Sequence, residues 1–336
     1  MTLEMNFFKI PYIFIATQIL YWITLFLSFC ICFFLFTPYG DIALPLQYLL
    51  NFLPSYWLLF PTLMLVVFKN KLTKIKKFTL LFIIFLSFFY LDFQVNINSN
   101  ASEFRKEDSY TLITANIGEG IELKKLEALV KFYHPDFFMF QEAGALNQLT
   151  IFANYPYIDC EGNLCFLSKY KYRKVNSLNN YIFNGYGDWS AFYEIELADS
   201  TVSISNIHLP SVRKAFYNLN NLSDIHSNRV ISANIINEWA ASKRNVIIAG
   251  DFNMSINENL YKQVFSRYQN ALSDNGLGFN STVDYRYKGF TIPGIRIDHI
   301  LFSQNFNIEK SIALESLGGD HYPVLSTFTI NNATHE

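Results

Sequence analysis

Positive charge is in short supply: 26 Lys and Arg stand against 28 Asp and Glu over 336 residues, a formal net charge of −2. That balance excludes a strongly basic nucleic-acid-binding protein. Four cysteines are too few for a disulfide-dense scaffold, and 14 glycines with 10 prolines exclude a collagen-like chain. Only 16% of the residues are charged and 51% are hydrophobic, which excludes intrinsic disorder. No internal repeat or low-complexity tract is evident.

Charge is also unevenly placed. Residues 1–100 hold six lysines (Lys9, Lys69, Lys71, Lys74, Lys76, Lys77) and three acidic residues (Glu4, Asp41, Asp92). The other 236 residues carry 20 basic and 25 acidic groups, net −5 with His neutral. The first part reads as membrane-embedded and the second as one globular domain large enough to bury its own core.

A spanning helix needs roughly 20 predominantly apolar residues to cross about 30 Å of hydrocarbon. Residues 11–36 and 42–68 contain no charge and flank the turn-forming Thr37-Pro38-Tyr39-Gly40-Asp41, so a helical hairpin is expected. A third span is expected over residues 78–95, interrupted only by Asp92, against the competing reading of a helix lying on the surface. The first segment is too long for a signal-peptide core. Residues 69–77 hold five lysines, which marks a cytoplasmic loop. Three crossings from an inside N-terminus would then put the large domain outside the cytoplasm. Residues 96–108 are polar and read as a linker, and the domain is expected over 109–331.

Cys30 and Cys32 fall in the first span, as small apolar residues. In Cys160-Glu161-Gly162-Asn163-Leu164-Cys165, a two-residue Gly-Asn turn would pair Glu161 with Leu164 and then Cys160 with Cys165. Such a non-hydrogen-bonded pair has Cα atoms roughly 4.5 Å apart, within reach of a disulfide. A Cys160–Cys165 disulfide is therefore expected, the alternative being two unpaired core thiols. The spacing fits no zinc pattern.

Strands are expected over residues 111–115, 137–141, 164–168, 190–197, 202–207, 245–249, 297–302 and 324–330, and helices over 123–133, 228–241 and 259–268. Many strands, few helices and no strict βαβα alternation predict an α+β domain of two packed sheets covered by helices. Asn116, Glu142, His208 and Asp251 fall at the downstream ends of apolar runs, whereas Asp298 and Asp320-His321 precede theirs. If the second group runs antiparallel to the first, all of these open on one edge of the sandwich.

The residue types suit phosphate chemistry. A hard divalent cation such as Mg²⁺ takes oxygen ligands, and Glu142 with Asn116 can supply the protein's share, although alone Glu142 reads as a surface carboxylate. Asp251 and Asn253, two residues apart, present one carboxylate to orient or deprotonate water and one amide to hold a phosphate oxygen. Alone, Gly250-Asp251-Phe252-Asn253 is equally well a turn. His208 and His321 are placed to transfer protons or stabilise a phosphorane-like transition state. His134, His226, His299 and His335 read as structural. Asp298 could accept from one imidazole and fix its tautomer. Arg229 and Arg296 are candidate phosphate contacts, with an exposed surface position as the alternative.

In order, Thr114-Ala115-Asn116, Gln141-Glu142, Asn206-Ile207-His208, Gly250-Asp251-Phe252-Asn253, Ile297-Asp298-His299-Ile300 and Gly319-Asp320-His321-Tyr322-Pro323-Val324 resemble the motifs of the endonuclease/exonuclease/phosphatase superfamily with the DNase-I-like fold. Gly319 stands where Ser is common in that family. The apolar segments ahead of the domain resemble a bacterial membrane-anchored branch. The resemblance implies a four-layer α/β/β/α sandwich preceded by three transmembrane helices in the plasma membrane. It also implies a Mg²⁺ or Mn²⁺ cofactor and hydrolysis of a phosphoester. Residue by residue, it implies that Asn116 and Glu142 bind metal, with Asp320 added to that set beside an Asp298–His321 pair. His208, Asp251 and Asn253 would hold and activate phosphate and water. Nucleic acid, lipid head groups and small phosphate esters all stay open as substrates. A net −5 domain lacks the basic excess of sequence-independent nucleic-acid binders, whereas aromatics such as Tyr186, Trp189 and Phe290, if exposed, would suit lipid. The expected partners are the bilayer and a phosphoester substrate, with no obligate protein partner. The competing class is a non-catalytic membrane scaffold, which loss of strand-end polar residues would favour; none is lost.

Overall fold

In the computed structural model the described residues are 9–36, 44–52, 60–90, 92–95, 108–118, 120–144, 146, 149–198, 200–213, 215 and 218–331. They divide into two compact units, Met1–Phe93 and Gln94–Glu336.

The first unit holds four helices: α1 (Lys9–Phe36), α2 (Leu44–Phe52), α3 (Phe60–Val67) and α4 (Lys74–Tyr90). Tyr21, Met64, Leu72, Leu80 and Ile83 form its small core. Tyr12, Trp22, Phe26, Phe29, Phe85 and Phe89 stay exposed. Among the described residues one helix is long and apolar enough to cross a membrane, Tyr12–Cys30 within α1. The other two expected spans are not confirmed among the described residues. The second expected span holds α2 and α3, of 9 and 8 residues, each too short to cross alone. Residues 53–59 between them, the turn at 37–41, the linker at 96–107 and His335 lie outside the described residues. The third expected span is displaced. Lys74, Lys76 and Lys77 join the first turns of α4, which is 17 residues long. Beyond α4, Asp92 takes a left-handed φ of 49°, and two bonds close the helix end, Asp92 N to Phe89 O and Phe93 N to Phe88 O. Gln94 and Val95 then form a strand instead of a last membrane turn.

The second unit runs β1 (Gln94–Val95), β2 (Tyr110–Asn116), α5 (Leu123–Tyr133), β3 (Phe137–Gln141), β4 (Tyr157–Glu161), β5 (Leu164–Ser168), β6 (Tyr172–Asn179), β7 (Asp188–Leu197) and β8 (Ser200–His208). It continues with α6 (Leu222–Ala241), β9 (Val246–Asp251), α7 (Asn259–Phe265), β10 (Gln269–Asn270), α8 (Ala271–Asn275), β11 (Leu277–Gly278), β12 (Asp284–Tyr287), β13 (Phe290–Pro293), β14 (Asp298–Phe302), β15 (Phe306–Ala313) and β16 (Val324–Ile330). Two six-stranded mixed sheets result, in the orders β15-β16-β2-β3-β5-β4 and β10-β14-β9-β8-β7-β6.

Alternation along the central strands builds the layers. Leu112, Phe137, Met139 and Phe166 face inward against Tyr193, Ile204, Ile247 and Ile300 of the opposite sheet. Ile113, Ala115, Phe138 and Phe140 face outward, where Leu126 and Leu129 of α5 cover them. On the other sheet, Val246, Ile248 and Ile207 lie beneath Ala233 and Ile236 of α6 and Val264 and Phe265 of α7. Central strands buried on both faces explain the unbroken apolar runs of the sequence. Each such Phe or Ile contributes roughly 1.5–3 kcal/mol by leaving water. The outcome is an α+β sandwich of four layers.

The β4–β5 turn places Gly162 at φ 54° and Asn163 at φ 79°, left-handed values that these two residue types tolerate. It pairs Glu161 with Leu164 and Cys160 with Cys165, whose Cα atoms are 4.1 Å apart and whose sulfurs are bonded.

Candidate active site

Strand direction assembles one edge. β2 runs parallel to β3 with Asn116 opposite Gln141, and β8 runs parallel to β9 with His208 opposite Asp251. β14 is antiparallel to β9, so Asp298, its first residue, lies on the other side of Asp251. β16 is antiparallel to β2, which brings the residues just before Val324 to the same edge. His208, Asp251 and Asp298 thus stand side by side on three adjacent strands.

Asp251 is the centre of the cluster. Its Oδ1 accepts from Asn253 N at 2.7 Å, and its Oδ2 accepts from Asn116 Nδ2 at 3.0 Å. The same Asn116 Nδ2 donates to Glu142 Oε1 at 3.1 Å, while Asn116 Oδ1 accepts from Gly118 N at 3.0 Å. His208 Nε2 lies 3.6 Å from Glu142 Oε1 and 3.7 Å from Asp251 Oδ2. His321 Nδ1 lies 3.1 and 2.9 Å from the two carboxylate oxygens of Asp298, and its Nε2 is 3.9 Å from Asp251 Oδ2. Asp320 is turned elsewhere: its Oδ1 is 4.0 Å from His321 Nε2, and its Oδ2 meets Arg213 Nη2 at 3.2 Å. Asn253 directs its amide Nδ2 to Leu209 O at 3.0 Å, tying the segment after β9 to the segment after β8.

The backbone is shaped to deliver these groups. Glu142 and Asn253 adopt left-handed φ values of 52° and 49°, at a cost of order 1–3 kcal/mol each. Two glycines make room. A Cβ on Gly118 would collide with the Glu142 carboxylate, and one on Gly250 would collide with the Ile207 carbonyl.

Burial pushes the Asp298 carboxyl up to about 6, against the lowering effect of His321. Burial alone would lower His321, but the carboxylates of Asp298, Asp251 and Asp320 outweigh it and push the imidazole up to about 10. His321 is therefore the cation of a buried pair. With Asp320 paired to Arg213, the carboxylates of Glu142, Asp251 and Asp298 against that one charge leave the edge negative. Glu142 Oε1 and Asp251 Oδ2 converge on one amide nitrogen, so two carboxylate oxygens already meet at one point of the edge. This donor chemistry fits a hard divalent cation such as Mg²⁺ or Mn²⁺.

Several residues take positions that the sequence did not disclose. Gln141 and Asn206 are buried and hydrogen-bonded to each other at 2.7 Å, bridging the two sheets directly beneath the site. Gln141 had a signal, a polar residue closing the apolar run ahead of Glu142, whereas Asn206 lies within a run that already contains Ser203 and Ser205 and had none. Thr282 Oγ1 accepts from Ile297 N and Asp298 N, both at 3.0 Å. Arg229 is neither a phosphate contact nor a surface residue. It is fully buried, bonds Asn253 O at 2.7 Å and Pro210 O at 3.0 Å, and pairs with Glu258 Oε2 at 2.6 Å. Arg296 is buried as well and donates to Ser273 Oγ at 2.9 Å. His299 is an interior residue, 2.9 Å from Met254 O, in keeping with its structural reading.

A sequence profile of the Endonuclease/Exonuclease/phosphatase family matches residues 96–321. The chain belongs to that family. Membership makes it a phosphoester hydrolase by class. Solved structures of similar fold include D. rerio TDP2 complexed with single-strand DNA product, at 14% identity and TM-score 0.53, covering 66% of this chain and 100% of that one. An endonuclease/exonuclease/phosphatase from Beutenbergia cavernae DSM 12333 is 13% identical, with TM-score 0.50 and coverage of 68% and 73%. A family protein from Bacteroides thetaiotaomicron is 17% identical, with TM-score 0.50 and coverage of 68% and 97%. At these identities the likeness is one of fold. Among curated proteins none matches the chain by sequence.

Proposed function

We propose that the chain is a membrane-anchored, divalent-metal-dependent phosphoester hydrolase whose chemistry is carried by Asp251 and its neighbours. The observation that supports it most is the register of three strands, which sets Asp251 between His208 and Asp298 with His321 facing the same oxygen.

Glu142 and Asn116 would hold the cation, which when bound neutralises phosphate charge and acidifies water. Asp251 Oδ1 is fixed by Asn253 N; Oδ2, which takes one bond from Asn116 Nδ2 and faces His208 and His321, is the oxygen that would accept the proton of the attacking water. His321 donates through Nδ1 to Asp298 and turns its Nε2–H to the phosphate, where its charge offsets that building on the oxygens. Its protonated state makes it a donor, and the role of base falls to Asp251. His208, 24% exposed, is placed to donate to a second phosphate oxygen. Asn253 acts through its backbone N–H on Asp251, and Asp320 balances Arg213 at the rim.

The apolar Tyr12–Cys30 helix supports the anchoring. The lysine-rich residues 69–77 and the Cys160–Cys165 bond support a catalytic domain outside the cytoplasm of a bacterial plasma membrane.

The test is turnover of a diester, bis(p-nitrophenyl) phosphate, and of a monoester, p-nitrophenyl phosphate, by the full-length protein with Mg²⁺. Asp251→Asn should lower turnover by about 10²–10⁴ on whichever ester is cleaved. Unchanged turnover in that variant would remove Asp251 from the chemistry.

A further inference from the structure

The rim of the site carries apolar side chains that phosphoester chemistry does not use. Tyr181, Ile182 and Tyr186 lie in the connection between β6 and β7 and are 67%, 62% and 83% exposed. Ser190 of β7 pairs with Ile207, one residue before His208, so this connection stands at the catalytic edge. It is tied there: Asp188 N bonds Gly162 O, and the neighbouring Asn163 O accepts from Ala143 N, next to Glu142.

On the opposite side of the site rises the β12–β13 ribbon. Val283 is bridged to His321, and Asp284 N bonds Asp320 O at 2.8 Å, so the ribbon springs directly from the catalytic pair. Its turn, Lys288-Gly289, has φ values of 47° and 83°, which suit a tight two-residue hairpin. All four residues of β13 are exposed, with Phe290 at 74%, and Arg286 and Lys288 on the same ribbon are exposed too.

Tyr and Phe side chains settle at the boundary between head groups and acyl chains, and Lys and Arg beside them meet lipid phosphates. A nucleic acid is less well matched, because residues 101–336 carry a net charge of −5. The anchoring proposed above through the Tyr12–Cys30 helix would also keep the chain beside lipid. Resting on the hydrolase reading above, we propose that the Tyr181–Tyr186 connection and the β12–β13 ribbon seat the site on a phospholipid surface, so that the substrate is a phosphoester of a phospholipid head group.

The experiment uses the full-length protein in nanodiscs of phosphatidylcholine and phosphatidylglycerol. Tyr186→Trp and Phe290→Trp each add a reporter. Relative to wild type, the added emission should be blue-shifted and quenched when the acyl chains are brominated. Water-like emission quenched by acrylamide alone would overturn the docking. The triple variant Tyr186→Ser, Phe290→Ser, Ile292→Ser should hydrolyse the nanodisc lipids about tenfold or more slowly. Its turnover of bis(p-nitrophenyl) phosphate should be unchanged. Undiminished lipid hydrolysis would overturn the proposal, and so would a parallel loss on a single-stranded oligonucleotide, which would mark the aromatics as a base-stacking platform. Absence of hydrolysis of every ester would overturn the catalytic reading and the lipid substrate with it, while the quenching would still decide the docking.

Discussion

Gln141 of one sheet donates a 2.7 Å hydrogen bond to Asn206 of the other. Gln141 also donates to Thr114 Oγ1 at 3.0 Å, and Asn206 donates to the carbonyls of Phe140 at 3.2 Å and Cys165 at 3.0 Å. The pair fixes how the sheets meet next to Glu142 and His208, which approach to 3.6 Å. Gln141→Leu leaves Asn206 Oδ1 unsatisfied in the interior, at a cost of about 1–3 kcal/mol. Thermal unfolding of the full-length protein should show that loss. The double variant Gln141→Leu, Asn206→Leu should regain much of the stability without regaining turnover. Full activity in the double variant would mean that the amides do not position the site.

The Asp298–His321 pair makes a pH prediction. An imidazole raised from its ordinary value to about 10 stabilises the fold fully below its unfolded pKa of roughly 6.5. That stability is lost as pH rises through about 10. In metal-free buffer, NMR titration of the labelled His321 ring should show it protonated well above neutrality. Asp298→Asn should return it toward the ordinary value. A ring that titrates near neutrality in the wild type would contradict the ion pair.

Arg229 gives a stability prediction. Removing it strands Glu258, whose carboxyl burial already pushes up against the opposing pull of Arg229. Arg229→Met should cost about 3–5 kcal/mol in denaturant unfolding. A surface phosphate contact would cost less than about 0.5 kcal/mol. Arg229→Met with Glu258→Leu should recover a substantial part. A near-neutral single variant would return Arg229 to the surface.

These residues also show what a sequence does and does not disclose. The strand-end positions Asn116, Glu142, His208, Asp251, Asp298 and His321 were legible because central strands buried on both faces read as apolar runs, and a polar residue that closes such a run is conspicuous. Edge strands were not. β6 has an irregular burial pattern and carries Arg173, Lys174 and two asparagines, and β15 mixes Glu309 and Lys310 into its apolar positions. Arg229 could not be placed because its partners, Glu258 and the carbonyls of Pro210 and Asn253, come from distant segments. Trp189, which would suit lipid only if exposed, is fully buried beside Phe183. One step along a strand reverses the face, and no local pattern there revealed which face was inside.

Membrane placement is tested by reporter fusions. Alkaline phosphatase joined after Val95 should be active, and a fusion after Lys77 inactive. Cys160 and Cys165 should resist thiol labelling in the unfolded protein until a reductant is added. An inactive fusion at Val95 would put the catalytic domain in the cytoplasm, and labelling of both cysteines without reductant would remove the disulfide.

The central claim is that the strand-end cluster is a metal-dependent hydrolytic centre. Turnover of bis(p-nitrophenyl) phosphate by full-length wild type and Glu142→Ala, each with Mg²⁺ and then with EDTA, tests it most directly. Wild-type activity should require the cation and return when Mg²⁺ is restored after EDTA. Glu142→Ala, folded to the same melting temperature, should be slower by about 10² or more. Wild-type turnover that survives EDTA, or a Glu142→Ala variant as fast as wild type, would contradict the account.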